Sequence, residues 1–456
     1  MPDRKIAIVG GGLVGSVLAL YLARRGYCVD VYEKRPDLRL REAGGGRSIN
    51  LAISKRGLFA LEEIGLLEQV KKQMIPMPGR MVHDLSGETQ FQAYGSDPSQ
   101  CINSISRNGL NRVLIAGAEA TNRVTFYFSS PVEMIDFGTN ALVIRNLKTN
   151  TVQSHIYDHI FGADGSASVI RDQMKSLLGI ECSESVLEHG YKEIVMPPKE
   201  SGGTALERNA LHIWPRRSDM LIALPNEDDS FTCTLFLAMH GNRSFEGLRT
   251  PLEVTQFFNE QFRDMVNKTP RLCDEFFSHP MGRMITVKSG PWFIGGKVLL
   301  LGDAAHAIVP FFGQGMNCGF EDCTELNRCL DQSDNNWEKA FEIFYSRRKT
   351  NADAIADMAV ENFIEMRDKV AHPQFQLEKK VERLLQSAFP QRYVPRYTLV
   401  SFTRAPYRYA YDLGLIQQSI LNELCEGLGT ADGVNMAKAK ELVLAKLSPI
   451  DPEFLI

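Results

Sequence analysis

At 456 residues, 44% of them hydrophobic and 23% charged, the chain can bury more than one core and is expected to divide into two or three domains. A formal net charge of −4 gives no basic footprint for nucleic acid, and no run of 18 or more apolar residues is available to span a membrane. Nine cysteines without a C-x-x-C pair suit reduced thiols in a cytosol, and the absence of a charged leader before an apolar stretch argues against a signal peptide.

The first apolar run, Lys5–Val9, reads as a buried parallel strand, followed by glycines 10, 12 and 15 in the G-x-G-x-x-G spacing and by a helix over 13–26. A second strand, 28–32, ends in Glu33, 18 residues beyond Gly15, where the ribose hydroxyls of an adenosine are expected. The glycine pattern alone is a common strand-to-helix turn; strand, helix, strand and acid together make it a dinucleotide fingerprint. Residues 54–73 form one amphipathic helix with apolar positions 58, 61, 64 and 67, and 110–120 another. Between them, 80–85 and 89–94 read as a hairpin about Ser86-Gly87. A three-residue connection would set Arg80 opposite Tyr94 and a two-residue turn would place them on opposite faces, so the register stays open.

His155 and His159 are four apart but lack a third ligand, so they read as solvated side chains and no metal site is expected. A strand over 160–164 runs into GADGSASVIR, where an Asp-Gly turn precedes a short helix; alone it reads as a turn with a capping Asp. Strands then dominate from 188 to 237, at 189–196, 211–214, 220–224 and 231–237. The strand 297–301 leads into GDAAHAIVPFFGQGMN at 302–317, which presents a carboxylate, Asp303, beside a helix N-terminus. Such a pair can hold a ribityl hydroxyl and face the negative charge of a reduced flavin with the free N–H groups near Gly313, Gln314 and Gly315. Beyond about Asp322 the chain turns helical. Within 352–370, Ile355, Ala359, Asn362 and Met366 share one stripe, so the Asn362 amide is buried and needs a partner, either backbone or ligand. Gly427-Leu-Gly429 lacks a preceding strand, so no second fingerprint for a nicotinamide cofactor is found.

The expected fold class is α/β, with a Rossmann-type FAD-binding domain in three pieces (1–75, 100–180 and 285–330). Into it is inserted a sheet-rich substrate domain (76–99 and 181–284), and a C-terminal helical region (331–456) follows. The three motifs in this order resemble the single-component flavoprotein aromatic hydroxylases of the para-hydroxybenzoate hydroxylase fold. Further matches, GRSINLA at 46–52, GRMVH at 79–83, LHIWP at 211–215, FTCTLF at 231–236, PFFGQGMN at 310–317 and ENFIEM at 361–366, resemble the branch that hydroxylates L-kynurenine, over residues 5 to about 410.

The resemblance implies tightly but non-covalently bound FAD held by Gly10, Gly12, Val14, Gly15, Tyr32, Glu33, Lys34, Arg35, Arg47, Ala52, Arg107, Val132, Asp164, Gly302, Asp303, Gly315, Met316 and Asn317. It implies that Arg80, Tyr94, Asn362 and Tyr397 contact the substrate's amino-acid end, while Met220, Phe236, Phe311, Phe312 and Met366 neighbour its ring. Each of the latter could equally be plain core. Pro310, Phe311, Phe312, Gly313, Gln314 and Gly315 would shape the site, with oxygen delivered through a flavin C4a-hydroperoxide and no side-chain acid or base assigned. NADPH would visit transiently, which requires movement of flavin or a lid; O₂ is the other co-substrate, and the pathway is tryptophan breakdown by the kynurenine route. Eukaryotic members carry a C-terminal membrane anchor, whereas 411–456 here is charged and helix-like, so a soluble, cytoplasmic, bacterial-type form is expected, compatible with a homodimer. Two rivals are a related hydroxylase acting on a phenol or quinone precursor, and a non-catalytic escort of prenylated GTPases on the same fold. Retention of Glu33, Asp164, Asp303 and the GQGMN run argues against the escort.

Overall fold

Ile6, Ala7, Ile8 and Val9 are buried on both faces, as the centre of a parallel sheet requires. The computed structural model describes residues 4–40, 50–95, 97, 100–366 and 373–455. In it, Lys5–Val9 lies between His159–Gly162 and Cys28–Glu33 in a six-stranded sheet. Val298–Leu300 flanks one side and Val124–Phe128 the other; all these pairs are parallel, and the Phe293–Ile294 edge alone is antiparallel. The helix Leu13–Arg24, apolar nearly all round, packs against the helices Arg107–Glu119 and Gly315–Gln332. Gly10, Asp164 and Gly302 all follow the carboxyl ends of adjacent strands, and Glu33 closes another, which is the edge where open α/β sheets bind ligands.

Chain contacts divide the molecule into two units. One is Met1–Ile75, Asn103–Leu187 and Met284–Ala356; the other is Pro76–Ile102, Glu188–Arg283 and Asp357–Ile456. The C-terminal helices Pro373–Ala388, Arg396–Phe402, Tyr407–Cys425 and Met436–Lys446 thus belong with the sheet-rich unit. That unit contributes to a seven-stranded sheet, ordered Gly282–Gly290, Glu181–Met196, Phe231–Ala238, Asp219–Pro225, Leu211–Arg216, Gly79–His83 and Thr89–Ala93. Its core gathers Trp214, Leu221, Phe231, Phe258 and Phe262, roofed by the helix Pro251–Gln261, which Thr250 and Glu253 close with a capping box.

Four local expectations are corrected. The helix expected over 54–73 is two, Lys55–Glu63 and Leu67–Lys71, because Gly65 takes φ +71° and ends the first. The hairpin pairs Arg80 with Gln92; Asp84 N–H bonds to Glu88 O, so the connection is Leu85–Ser86–Gly87 and Tyr94 falls two residues beyond Gln92, on the same face as Arg80. His159 is not solvated: it stacks on Trp337 at 4.0 Å between centroids, and burial pushes its pKa down to about 4. The helix expected over 352–370 begins far earlier, as Trp337–Ile364, and residue 370 lies outside the described residues. Among the described residues no helix is long and apolar enough to cross a membrane.

Candidate flavin and substrate sites

Backbone geometry explains each glycine of the first motif. Gly10 has φ +108°, and a Cβ there would lie 2.4 Å from Ala163 O. One at Gly15 would lie 2.0 Å from Gly10 O, so this helix turn approaches the strand more closely than any side chain allows. Gly12 is different: a Cβ there meets nothing within 4 Å, and the open space sits at the N-terminus of the helix Leu13–Arg24, where a pyrophosphate is favoured. Gly12→Ala is therefore expected to leave the apoprotein's thermal midpoint unchanged while lowering flavin content, whereas Gly15→Ala should lower the midpoint itself. Thermal unfolding of apoprotein and the flavin absorbance of purified protein read the two effects separately.

Glu33 is the residue expected at an adenosine ribose. Its Oε2 accepts from Gly11 N (3.0 Å) and Arg35 Nη2 (3.2 Å), and its Oε1 from Arg35 N (2.9 Å) and Nε (2.8 Å). Burial works against the charge, but the Arg35 contacts outweigh it and hold the carboxyl below its ordinary range. All four acceptor positions are filled, so a ribose hydroxyl would reach Glu33 only by replacing a bond from Arg35, whose side chain is 58% exposed. Lys34 is exposed, Tyr32 accepts the Gly10 N–H on its main-chain O at 2.8 Å, and Val132 is buried at the start of its strand. Arg107 is exposed at the first position of its helix, and Arg47 lies outside the described residues.

The second and third motifs supply unpartnered acid. Asp164 Oδ2 accepts Val169 N–H at 2.7 Å, capping that turn as expected, but its Oδ1 is buried with no partner, and burial raises the carboxyl's pKa. Asp303 is open to solvent yet surrounded by protein, as a group lining a cleft is; its pKa is also raised by burial, and it forms no side-chain hydrogen bond among the described residues. Val14 joins the first motif to the third, since a Cβ on Gly302 would lie 3.1 Å from it.

The loop 310–317 is braced from within. Asn317 accepts Ser54 N–H on Oδ1 and donates from Nδ2 to Ala52 O and Gly313 O, each at 2.9 Å, so its side chain anchors the loop and only its main chain remains for a ligand. Gly313 takes φ +66°, and its N–H donates to Pro310 O, which removes it from the free donors expected there. Gln314 stands at the N-cap of the next helix, but its side chain turns to Ser54 Oγ (3.4 Å) and makes no capping bond, leaving the leading N–H groups at Gly315 and Met316 available. Phe312 is buried and Phe311 partly so.

Beneath the loop lies a buried charge network that the sequence reading missed. Asp322 accepts from Gly302 N (2.9 Å), His306 Nε2 (2.6 Å) and Arg348 Nε (2.8 Å). Glu321 joins Arg348 (2.5 Å) to Arg56 (2.8 Å). The available signal was Glu321-Asp322 standing among Phe320, Cys323 and Leu326 on a helix face too apolar for solvated acids. His306, Cys318 and Asp322 could converge on a metal ion, but Arg348 Nη2 already lies 3.2 Å from Cys318 Sγ and supplies the positive charge.

In the other unit, Arg80, Tyr94 and Tyr397 come together. The Arg80 guanidinium lies 5.7 Å from the Tyr94 ring centre and 6.0 Å from that of Tyr397; the two rings stack at 5.3 Å. Arg80 forms no ion pair among the described residues, and the Tyr94 hydroxyl is buried without a partner. Phe402, unanticipated, closes on both rings at 6.1 and 6.0 Å. Met220 pairs with Phe236 on neighbouring strands, both buried. Asn362 Nδ2 contacts Met366 Sδ at 3.4 Å, one helical turn on.

A family model for the FAD binding domain matches residues 3–340. Kynurenine 3-monooxygenase of Myxococcus xanthus is 51% identical over 98% of this chain and 96% of its own length. That of Dictyostelium discoideum is 44% identical over 97% of each. The chain belongs to the kynurenine 3-monooxygenases. It is thus an FAD-dependent monooxygenase, and the orphaned Asp164 Oδ1, the unpartnered Asp303 and the open space at Gly12 fit the group that such a monooxygenase holds. The tetrameric form of 2-methyl-3-hydroxypyridine-5-carboxylic acid oxygenase shares the fold of these monooxygenases, with a TM-score of 0.65 at 22% identity over 83% of this chain and 96% of that one.

Proposed function

We propose that the protein converts L-kynurenine to 3-hydroxy-L-kynurenine with NADPH and O₂. The observation that carries this reading is Arg80: a cation with no acidic partner among the described residues, flanked by two tyrosines, one with an unsatisfied buried hydroxyl. A free amino acid's carboxylate answers both needs, taking the guanidinium's N–H groups and the Tyr94 O–H together. Asn362 and Tyr397 would receive the ammonium end, and Met220, Phe236 and Met366 offer apolar surface to an aryl ketone.

When bound, the flavin would supply the redox chemistry between NADPH, O₂ and the substrate ring. Glu33, Asp164 and Asp303 would hold its hydroxyl-bearing portions, and the uncapped N–H groups of Gly315 and Met316 would face the charge of the reduced ring. Phe311 and Phe312 would exclude water from that edge. The substrate's ring amine enriches its ortho carbon, so no side-chain base is required. NADPH oxidation that depends on L-kynurenine and yields 3-hydroxykynurenine is the expected result. Stimulation by a phenolate and not by L-kynurenine would overturn the assignment.

A further inference from the structure

The strands Gly79–His83 and Leu211–Arg216 carry polar groups that substrate recognition does not use. His83, His212 and Trp214 are 2%, 2% and 0% exposed. His83 Nδ1 lies 2.7 Å from Asp264 Oδ2, His83 Nε2 lies 2.8 Å from His212 Nδ1, and His212 Nε2 lies 2.8 Å from Glu207 O. Trp214 Nε1 donates to both Asp264 oxygens at 2.9 and 3.1 Å, and its indole stacks on the His83 ring at 3.9 Å.

Counting protons along this chain fixes its charge. A main-chain carbonyl only accepts, so His212 Nε2 bears a proton. Burial opposes ionisation of Asp264, but the bonds from His83 and Trp214 outweigh it and hold its carboxyl below the usual range, so it too accepts. The bond between the rings needs a third proton, whereas two neutral imidazoles have two. The pair therefore carries one positive charge. His83 is the ring that faces both the carboxylate of Asp264 and the indole of Trp214, so the pair's charge is placed there. The other charged groups nearby include Lys268, which donates to Asp264 O, Arg216, which donates to His83 O at 2.9 Å and Asp84 O at 2.7 Å, and the carboxylates of Glu207, which acts on His212, and Asp84, which acts on Arg216.

We propose that His83, held as a buried imidazolium by Asp264 and His212, is a positioning residue for Arg80. This rests on the reading of Arg80 given above. His83 ends the strand on which Arg80 stands, and the two side chains point to opposite faces. That strand pairs on one side with only Leu211, His212 and Ile213, and on the other with the largely exposed edge strand Thr89–Ala93. A slip of one residue would turn Arg80 away from Tyr94 and Tyr397. Only an imidazolium at position 83 satisfies Asp264 and His212 together, so the ion pair sets the register, the best-attested use of a buried charge.

Two measurements on the holoenzyme test this. Histidine-selective ¹⁵N NMR near neutral pH, assigned with His83→Gln, is expected to show both His83 nitrogens protonated; a neutral ring overturns the proposal whatever the substrate. In turnover, His83→Gln is expected to raise the KM for L-kynurenine about tenfold with kcat and flavin content kept. In an Arg80→Ala background the same change should move KM by less than about twofold. Equal losses in both backgrounds would mean a merely structural role. Should His83→Gln fail to fold, Asp264→Asn, which keeps the shape and removes the charge, serves in the same cycle. Absence of L-kynurenine turnover in the unsubstituted protein would sink the proposed function and leave the NMR result standing.

Discussion

Replacing Asp322 by alanine is expected to lower folding stability by about 3–5 kcal/mol, because it strips the buried His306 of its counter-charge and leaves the buried Arg348 with Glu321 alone. Asp322 is fully buried and bonds to His306, Arg348 and the Gly302 N–H, so the same change frees the backbone turn that presents Asp303. Flavin content should fall with stability, and urea unfolding of apoprotein and holoprotein measures both. The network also predicts a pH profile. Burial opposes ionisation of Asp322, but His306 and Arg348 outweigh it and hold its carboxyl below the ordinary value. Its contribution is therefore fully present above about pH 3.9 and is lost as pH falls through the lower folded value. For His306 burial acts downward, yet Asp322 outweighs it and holds the imidazolium well above its ordinary value. That contribution is fully present below about pH 6.5 and is lost as pH rises through the folded value. Asp322→Asn should flatten both limbs of the stability profile; limbs unchanged in that variant would show that other groups set them.

Arg80→Ala is expected to raise the KM for L-kynurenine by roughly 10–100-fold, the loss of about 1.5–3 kcal/mol of charge-assisted hydrogen bonding. FAD should stay bound, since no flavin-motif residue belongs to the Arg80 cluster. Arg80→Lys should recover only part of the loss, because an ammonium is a point charge that cannot match a carboxylate bidentately or lie flat against Tyr94 and Tyr397. Steady-state kinetics with the flavin absorbance of each variant decide this. Loss of flavin in Arg80→Ala would show that Arg80 acts on the fold of the cofactor domain instead.

What could be read from the chain was local. Gly15 is demanded by Gly10 O five residues back, the strand Lys5–Val9 by its apolar run, and the Asp164 cap by a donor five residues away, whereas the space at Gly10 is closed by Ala163, which only the sheet brings beside it. Family resemblance implies Arg80, Tyr94 and Tyr397, and the fold brings the three together. Gly65 shows the limit even of local reading, for the periodicity continued through it while its backbone turned left-handed.

The sequence by itself determined the order and type of the motifs, because each is built from neighbours in the chain and its chemistry follows from backbone conformation and residue type. Only the tertiary structure decided which charges meet. Arg56 reaches Glu321 across 265 positions, His83 reaches Asp264 across 181, and Trp337 covers a histidine that looked solvated. Periodicity identifies a buried face but not the residue that comes to face it, and burial without that partner's identity fixes neither protonation state nor strand register.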